Sequence, residues 1–287
     1  MNGDNKGRRV NVSGTGQLAG GEYESVTIAG SGVVDGDLQA KNIVVTGSGR
    51  FMGSVSAEEI RTTGSCRVAG GLDVNQLVIW GSMEVGGELR ADLLKTYGSL
   101  TAEQDVHSDK AFLAGSCSVD GDLQAEEFLS RGTFDVSGLL TADLVKVWLV
   151  GTNSAGEIGG REVIISARGL GFDIDEDKVK SGVENVDGAL SNLGKSLGFD
   201  LELDSEKISR EVSKLGGKLG SFVSSWGKRK LTTKLIEGDE LKLGGVSAET
   251  VRGDRVEIGE GCKIGLVEYR DSFSCAESSE VSEQGRL

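Results

Sequence analysis

The 287-residue chain contains no proline. Proline removes a backbone donor and is confined in sheets to edges and bulges. Flexible low-complexity chains are rich in glycine and proline together, so 45 glycines beside no proline point elsewhere. They suit a chain in which many backbone N–H groups must donate. Aromatic residues are also scarce, at 5%, and hydrophobic residues make up 37%, which is lean for a broad globular core. Cations are outnumbered, 31 against 45 acidic residues, for a net charge of −14. That argues against nucleic acid as the main partner, because such binding rests on neutralising phosphates. The four cysteines, Cys66, Cys117, Cys262 and Cys275, form no CxxC and no metal-like spacing. No apolar run approaches the roughly 18 residues of a spanning helix. The opening "MNGDNKGRRVNVSG" lacks the apolar stretch of a signal peptide. The expectation is a cytoplasmic protein without a cofactor.

What the chain does have is a repeat. "AGSGVVDGDLQA" at 29–40 returns as "AGSCSVDGDLQA" at 114–125, a distance of five times 17. Repeats begin at Glu24, Lys41, Glu58, Asn75, Asp92, Asp109, Glu126 and Asp143. The seventh position reads Gly30, Gly47, Gly64, Gly81, Gly98, Gly115 and Gly132. The thirteenth is Gly36, Gly53, Gly70, Gly87, Gln104, Gly121 and Gly138. The third, eleventh and fifteenth positions are apolar throughout, for example Ile60, Val68 and Leu72, and positions 5, 9 and 17 are apolar or small. Apolar residues thus alternate within three short strands per repeat, separated by corners whose glycines are expected at positive φ. Seventeen residues with period-2 patterning suit neither a helical repeat nor an up-and-down sheet. They predict a parallel β-helix in which each repeat is one rung, paired strand by strand with the next.

Five segments follow: a flexible N-terminus at 1–7, a regular β-helix at 8–170, a helical insert at 171–230, irregular β-helix rungs at 231–276, and a polar tail at 277–287. The first, irregular rung places Val10, Val12 and Leu18 at the rod end, as candidates for self-association through an unpaired strand edge. In the insert, Val179, Val183, Val186, Leu190, Leu193 and Leu197 step by fours and threes, as do Ile208, Val212, Leu215, Leu219, Phe222 and Trp226. That spacing predicts two amphipathic helices. Residues 173–206 carry ten acidic and three basic side chains, and residues 207–230 seven basic and one acidic. Leu215, Leu219, Phe222, Trp226, Lys228, Arg229 and Lys230 are the candidate contact with a partner protein or membrane surface.

Three groups invite a chemical reading. His107, the one histidine, falls on an outward position, which suits a surface residue better than a catalytic one. Glu103, Asp105, Asp120 and Asp122 lie on neighbouring rungs, where a solvated corner motif competes with a calcium site. Cys66 and Cys117 share position 9 three rungs apart, about 14 Å, too far for a disulfide.

The repeated "VxIxGSGxVxGDLxAxxI", preceded by "GSGxxxGGxYexVxIxGSG", resembles the bactofilins, bacterial polymer-forming cytoskeletal proteins. The resemblance is close over 8–142. The segment "IEGDELKL…AETVRGDRVEIGEGCKIGLVEY" is similar to the end of longer members. It implies a right-handed β-helix and nucleotide-independent assembly through the rod ends. It also implies a scaffolding role for cell-shape or envelope proteins, with self as the first partner, and the basic helix of the insert adds peripheral contact at the inner membrane face as an expectation. The helical insert departs from the minimal pattern. The competing expectation is a non-polymerising adaptor whose insert caps the rod and binds a partner or membrane. Neither reading makes the chain an enzyme.

Overall fold

The computed structural model describes residues 7–167 and 229–287. They form a parallel β-solenoid of about 13 turns, with about 17 residues per turn. In chain order the strands are β1 (Arg9–Val12), β2 (Thr15–Ile28), β3 (Ser31–Val45), β4 (Ser48–Phe51), β5 (Val55–Thr62), β6 (Ser65–Val68) and β7 (Leu72–Ile79). Next come β8 (Ser82–Val85), β9 (Leu89–Thr96), β10 (Ser99–Ala102), β11 (Val106–Leu113), β12 (Ser116–Val119), β13 (Leu123–Ser130) and β14 (Thr133–Trp148). The last six are β15 (Thr152–Gly159), β16 (Glu162–Ser166), β17 (Lys230–Leu243), β18 (Val246–Ile258), β19 (Lys263–Cys275) and β20 (Glu280–Arg286). The expected flexible segment 1–7 lies outside the described residues except for Gly7, and the predicted helices lie outside them altogether.

Each turn has three faces. The first carries Asn42–Val45 and its equivalents, the second Ser48–Phe51, the third Val55–Ala57. On the first face the partners run Asn42↔Glu59, Glu59↔Gln76, Gln76↔Leu93, Leu93↔Lys110, Lys110↔Glu127 and Glu127↔Leu144, always 17 apart. The reason is translational: identical backbone rings stack about 4.8 Å apart only if each contains the same number of residues. The sequence positions predicted to point inward do so. Ile60, Val68 and Leu72 are buried, and so are the third-, eleventh- and fifteenth-position residues of every regular rung.

The recurring glycines need a different explanation from the expected one. Among them only Gly36 has a positive φ, 85°. No member of the column Gly30 to Gly132 has a positive φ; they are glycine because corners stack in van der Waals contact. A Cβ on Gly64 would stand 2.8 Å from both Gly47 C and Thr46 O, and nearer still to Gly47 O. The obstacle is backbone, which no rotamer change can move.

Past Val136 the step lengthens, with a bulge between Val136 and Leu139 where β14 meets β15. Asn153 repairs the ladder there: its buried Oδ1 accepts the Phe134 N–H at 2.8 Å. Across the insert, Ser154↔Thr232, Ile158↔Ile236 and Glu162↔Glu240 each span 78 residues. Leaving out the 61 residues from 168 to 228 restores a step of 17. The insert therefore leaves the solenoid at one glycine-type corner, between the first and second faces, and about three turns follow it.

Two boundaries differ from expectation. Lys230 opens β17, paired with Thr152, and belongs to the solenoid rather than to the insert. The expected polar tail contains β20, parallel to β19. A strand held by backbone hydrogen bonds needs few apolar side chains, and of this one only Val281 packs against the core.

Candidate assembly surfaces

The candidate site is the end of the stack. Val10 lies over Val26, Val12 over Ile28 and Leu18 over Val34. Each continues an inward column by one more rung and is only half-buried against the core. Arg9 and Glu24 brace this rung from outside, with a bidentate ion pair at 2.9 and 3.0 Å that holds the Glu24 carboxyl below its usual range. Among the described residues β1 pairs with β2 alone, so its other edge presents backbone N–H and C=O groups. The opposite end is more polar. There Phe273 and Val281 continue columns, but Gln284 lies over Val267 and Arg286 over Tyr269.

Of the candidates assigned to the insert, Leu215, Leu219, Phe222, Trp226 and Lys228 lie outside the described residues. Arg229 donates from Nη1 to the Ala167 carbonyl at 3.2 Å, closing the corner from which the insert departs. Arg229 and Lys230 thus sit on the solenoid side of the junction.

The acidic corner residues act as rung-to-rung clamps. Asp37 Oδ1 accepts the Ser54 N–H at 2.8 Å, Asp105 Oδ1 the Asp122 N–H at 2.9 Å, and Asp122 Oδ1 the Leu139 N–H at 2.8 Å. Each reaches 17 residues ahead, so the aspartate at position 14 of the repeat ties its corner to the backbone of the next rung. His107 lies on the third face, with Nε2 3.0 Å from Glu88 Oε1, which also takes Arg90 Nη2 at 2.6 Å. All four cysteines are free. Burial pushes the Cys66 and Cys117 thiols up to about 12, and Cys262 upward as well.

One feature was not read from the sequence. Trp80 stacks on Tyr97 with ring centroids 4.1 Å apart, and Tyr97 tilts against Phe112 at 5.8 Å. Arg131 lies 4.7 Å over the Trp148 ring. These residues come from positions 4 and 6 of the repeat, which face outward. Comparing outward as well as inward positions across repeats would have exposed the pattern.

No family model and no solved structure matches the chain. Two curated proteins of Bacillus subtilis (strain 168) are similar over short stretches. The uncharacterized protein YhbE is 44% identical over 57 residues, 20% of this chain and 24% of that protein. The uncharacterized protein YhbF is 42% identical over 60 residues, 21% and 26% respectively. The chain thus covers about a quarter of the length of the curated relatives it matches.

Proposed function

We propose that this chain is a bacterial cytoskeletal scaffold of bactofilin type, whose solenoids join end to end without nucleotide to support cell shape or envelope-associated processes. The observation that carries the reading is the N-terminal rung, where three apolar columns and a strand edge end together at Val10, Val12 and Leu18. Completing the burial of these residues against the end of the next solenoid is worth about 1 kcal/mol each. Set against an association cost of about 4 kcal/mol or more, that gain leaves the balance to the edge hydrogen bonds. Assembly is therefore concentration-dependent.

In this reading the chain needs no cofactor and is not an enzyme. It works in the cytoplasm, with cell-envelope proteins and the inner membrane face as further partners. The right-handed winding comes with the resemblance, and the helix pair of the insert with the threes-and-fours spacing of its apolar residues. Negative-stain electron microscopy of the purified chain, free of nucleotide and metal, tests the proposal. Filaments or rodlets are expected. Monodisperse monomers across salt and protein concentration overturn it.

A further inference from the structure

The three outer faces differ. On the second face the outward residues of successive rungs are polar: Ser82 and Glu84, Ser99 and Thr101, Ser116 and Ser118. On the first face, every rung from β7 to β16 turns one large apolar side chain outward: Val78, Leu93, Phe112, Leu129, Leu144 and Ile164. They fall in two columns two residues apart: Val78, Phe112, Leu129 and Ile164 in one, with Lys95 and Lys146 between them, and Leu93 and Leu144 in the other, so Phe112 and Leu129 are directly paired and the rest meet diagonally. All are half-buried, whereas Leu94, Ala111, Phe128 and Val145 of the same strands point into the core. The other outward position of each rung is polar, with Lys110 and Glu127 paired at 3.2 Å. A strand apolar on both sides is characteristic of a sheet covered on both faces. Six such residues, one per rung and zigzagging between the two columns, form a stripe along the axis and not a scatter of single exposed side chains.

We infer that this face docks an amphipathic α-helix of a partner protein, laid along the solenoid axis, with Lys or Arg on one flank. The stripe offers one apolar group per rung, about every 4.8 Å. A helix offers one per turn, every 5.4 Å. Over five rung steps, about 24 Å, the two drift apart by only about 3 Å, within the reach of flexible side chains. A helix of about 16 residues spans it. A strand laid across the rungs would meet a row of side chains, with no free backbone edge to pair. The flank follows from charge. Asp92, Asp109, Glu126 and Asp143, all exposed, run one per rung along the bend that borders the stripe. Cations on the facing side of the helix complement them. The site is lateral and independent of end-to-end assembly.

The test uses the full chain and a fluorescein-labelled 18-residue designed helix, with leucines at i, i+4, i+7, i+11 and i+14 and lysines on one flank, read by fluorescence anisotropy. Saturable binding is expected. Phe112→Glu and Leu129→Glu should each weaken it at least tenfold with the circular dichroism spectrum kept, and Thr101→Glu on the second face should leave it unchanged. Asp92→Lys with Asp109→Lys, both exposed, should reverse the preference towards a glutamate-flanked helix. No saturable binding overturns the inference, as does equal loss with Thr101→Glu. Equal affinity for both flank types in the wild-type chain also overturns it. Liposome flotation or self-association that depends on Phe112 and Leu129 without helix binding would assign the face to a membrane or a second copy instead.

Discussion

Replacing Gly64 by alanine should damage the solenoid more than replacing Gly36, although only Gly36 sits at a positive φ. At Gly36 an added Cβ meets nothing within 4 Å, so the cost is backbone strain, about 1–2 kcal/mol. At Gly64 the Cβ collides with the backbone of the rung below. Relief requires the corner to move by about 1 Å, which at van der Waals contact forfeits most of the local attraction. It also stretches the hydrogen bonds from Thr63 N to Val45 O at 2.9 Å, Gly64 N to Val45 O at 3.3 Å and Ser65 N to Gly47 O at 2.9 Å. Three weakened bonds at about 1 kcal/mol each, plus the overpacking, give about 3–5 kcal/mol. Because rungs couple mainly to their neighbours, the damage should be local. Hydrogen exchange by mass spectrometry, with guanidinium melts of both variants, reads it: exchange should accelerate in Val45–Leu72 and melting should begin earlier for Gly64→Ala. If Gly36→Ala were the more destabilised, stacking contact would not be what selects the corner glycines.

Other perturbations probe the interior and the corners. Thr96 is buried in a core column with no partner for its hydroxyl among the described residues, so Thr96→Val should stabilise by about 1–2 kcal/mol in a denaturant melt; a loss would contradict an unpartnered hydroxyl. Asp122→Ala should cost about 1–2 kcal/mol, with Asn recovering part of it, and added calcium should leave the melt unchanged if Asp122 clamps the corner as described. Ellman's reagent at pH 8 should modify Cys275 alone rapidly and all four thiols in guanidinium, since burial keeps Cys66 and Cys117 protonated. For the same reason the stability these two thiols contribute is complete below about pH 9 and is lost as pH rises towards about 12, so Cys66→Ala and Cys117→Ala should flatten the alkaline limb of the stability profile.

The rungs, the faces and the core columns were legible in the sequence because a solenoid repeats its environment. When Ile60, Leu77 and Leu94 occupy one position of consecutive repeats, each predicts the others' burial. The irregular rungs expected at 231–276 are present, with Leu241 paired to Val256 and Leu243 to Ile258 at a step of 15. What escaped depends on contacts between rungs. Nothing within one repeat distinguishes a glycine required by φ from one required by the rung beneath it. The stretch after Ala142 lost its period because one bulge and a few lengthened corners shift the count, although the ladders continue. β20 looked like a tail because its pairing uses backbone, and Arg229 looked like the end of a basic helix because its acceptor, Ala167, lies 62 residues away. The end rung was legible in its residue types, but the polar character of the opposite end required the register that places Gln284 and Arg286 over columns.

The central claim is that solenoids join through the N-terminal rung, and sedimentation velocity of the full chain tests it most directly, with Val10→Asp and Val12→Asp beside the wild type. The wild type should sediment as large, concentration-dependent assemblies without nucleotide or metal. Each aspartate, buried unpaired at the junction, should shift the distribution to small species while circular dichroism stays that of the β-solenoid. Assemblies unchanged by either substitution, or a wild type that remains monomeric at every concentration, would contradict it.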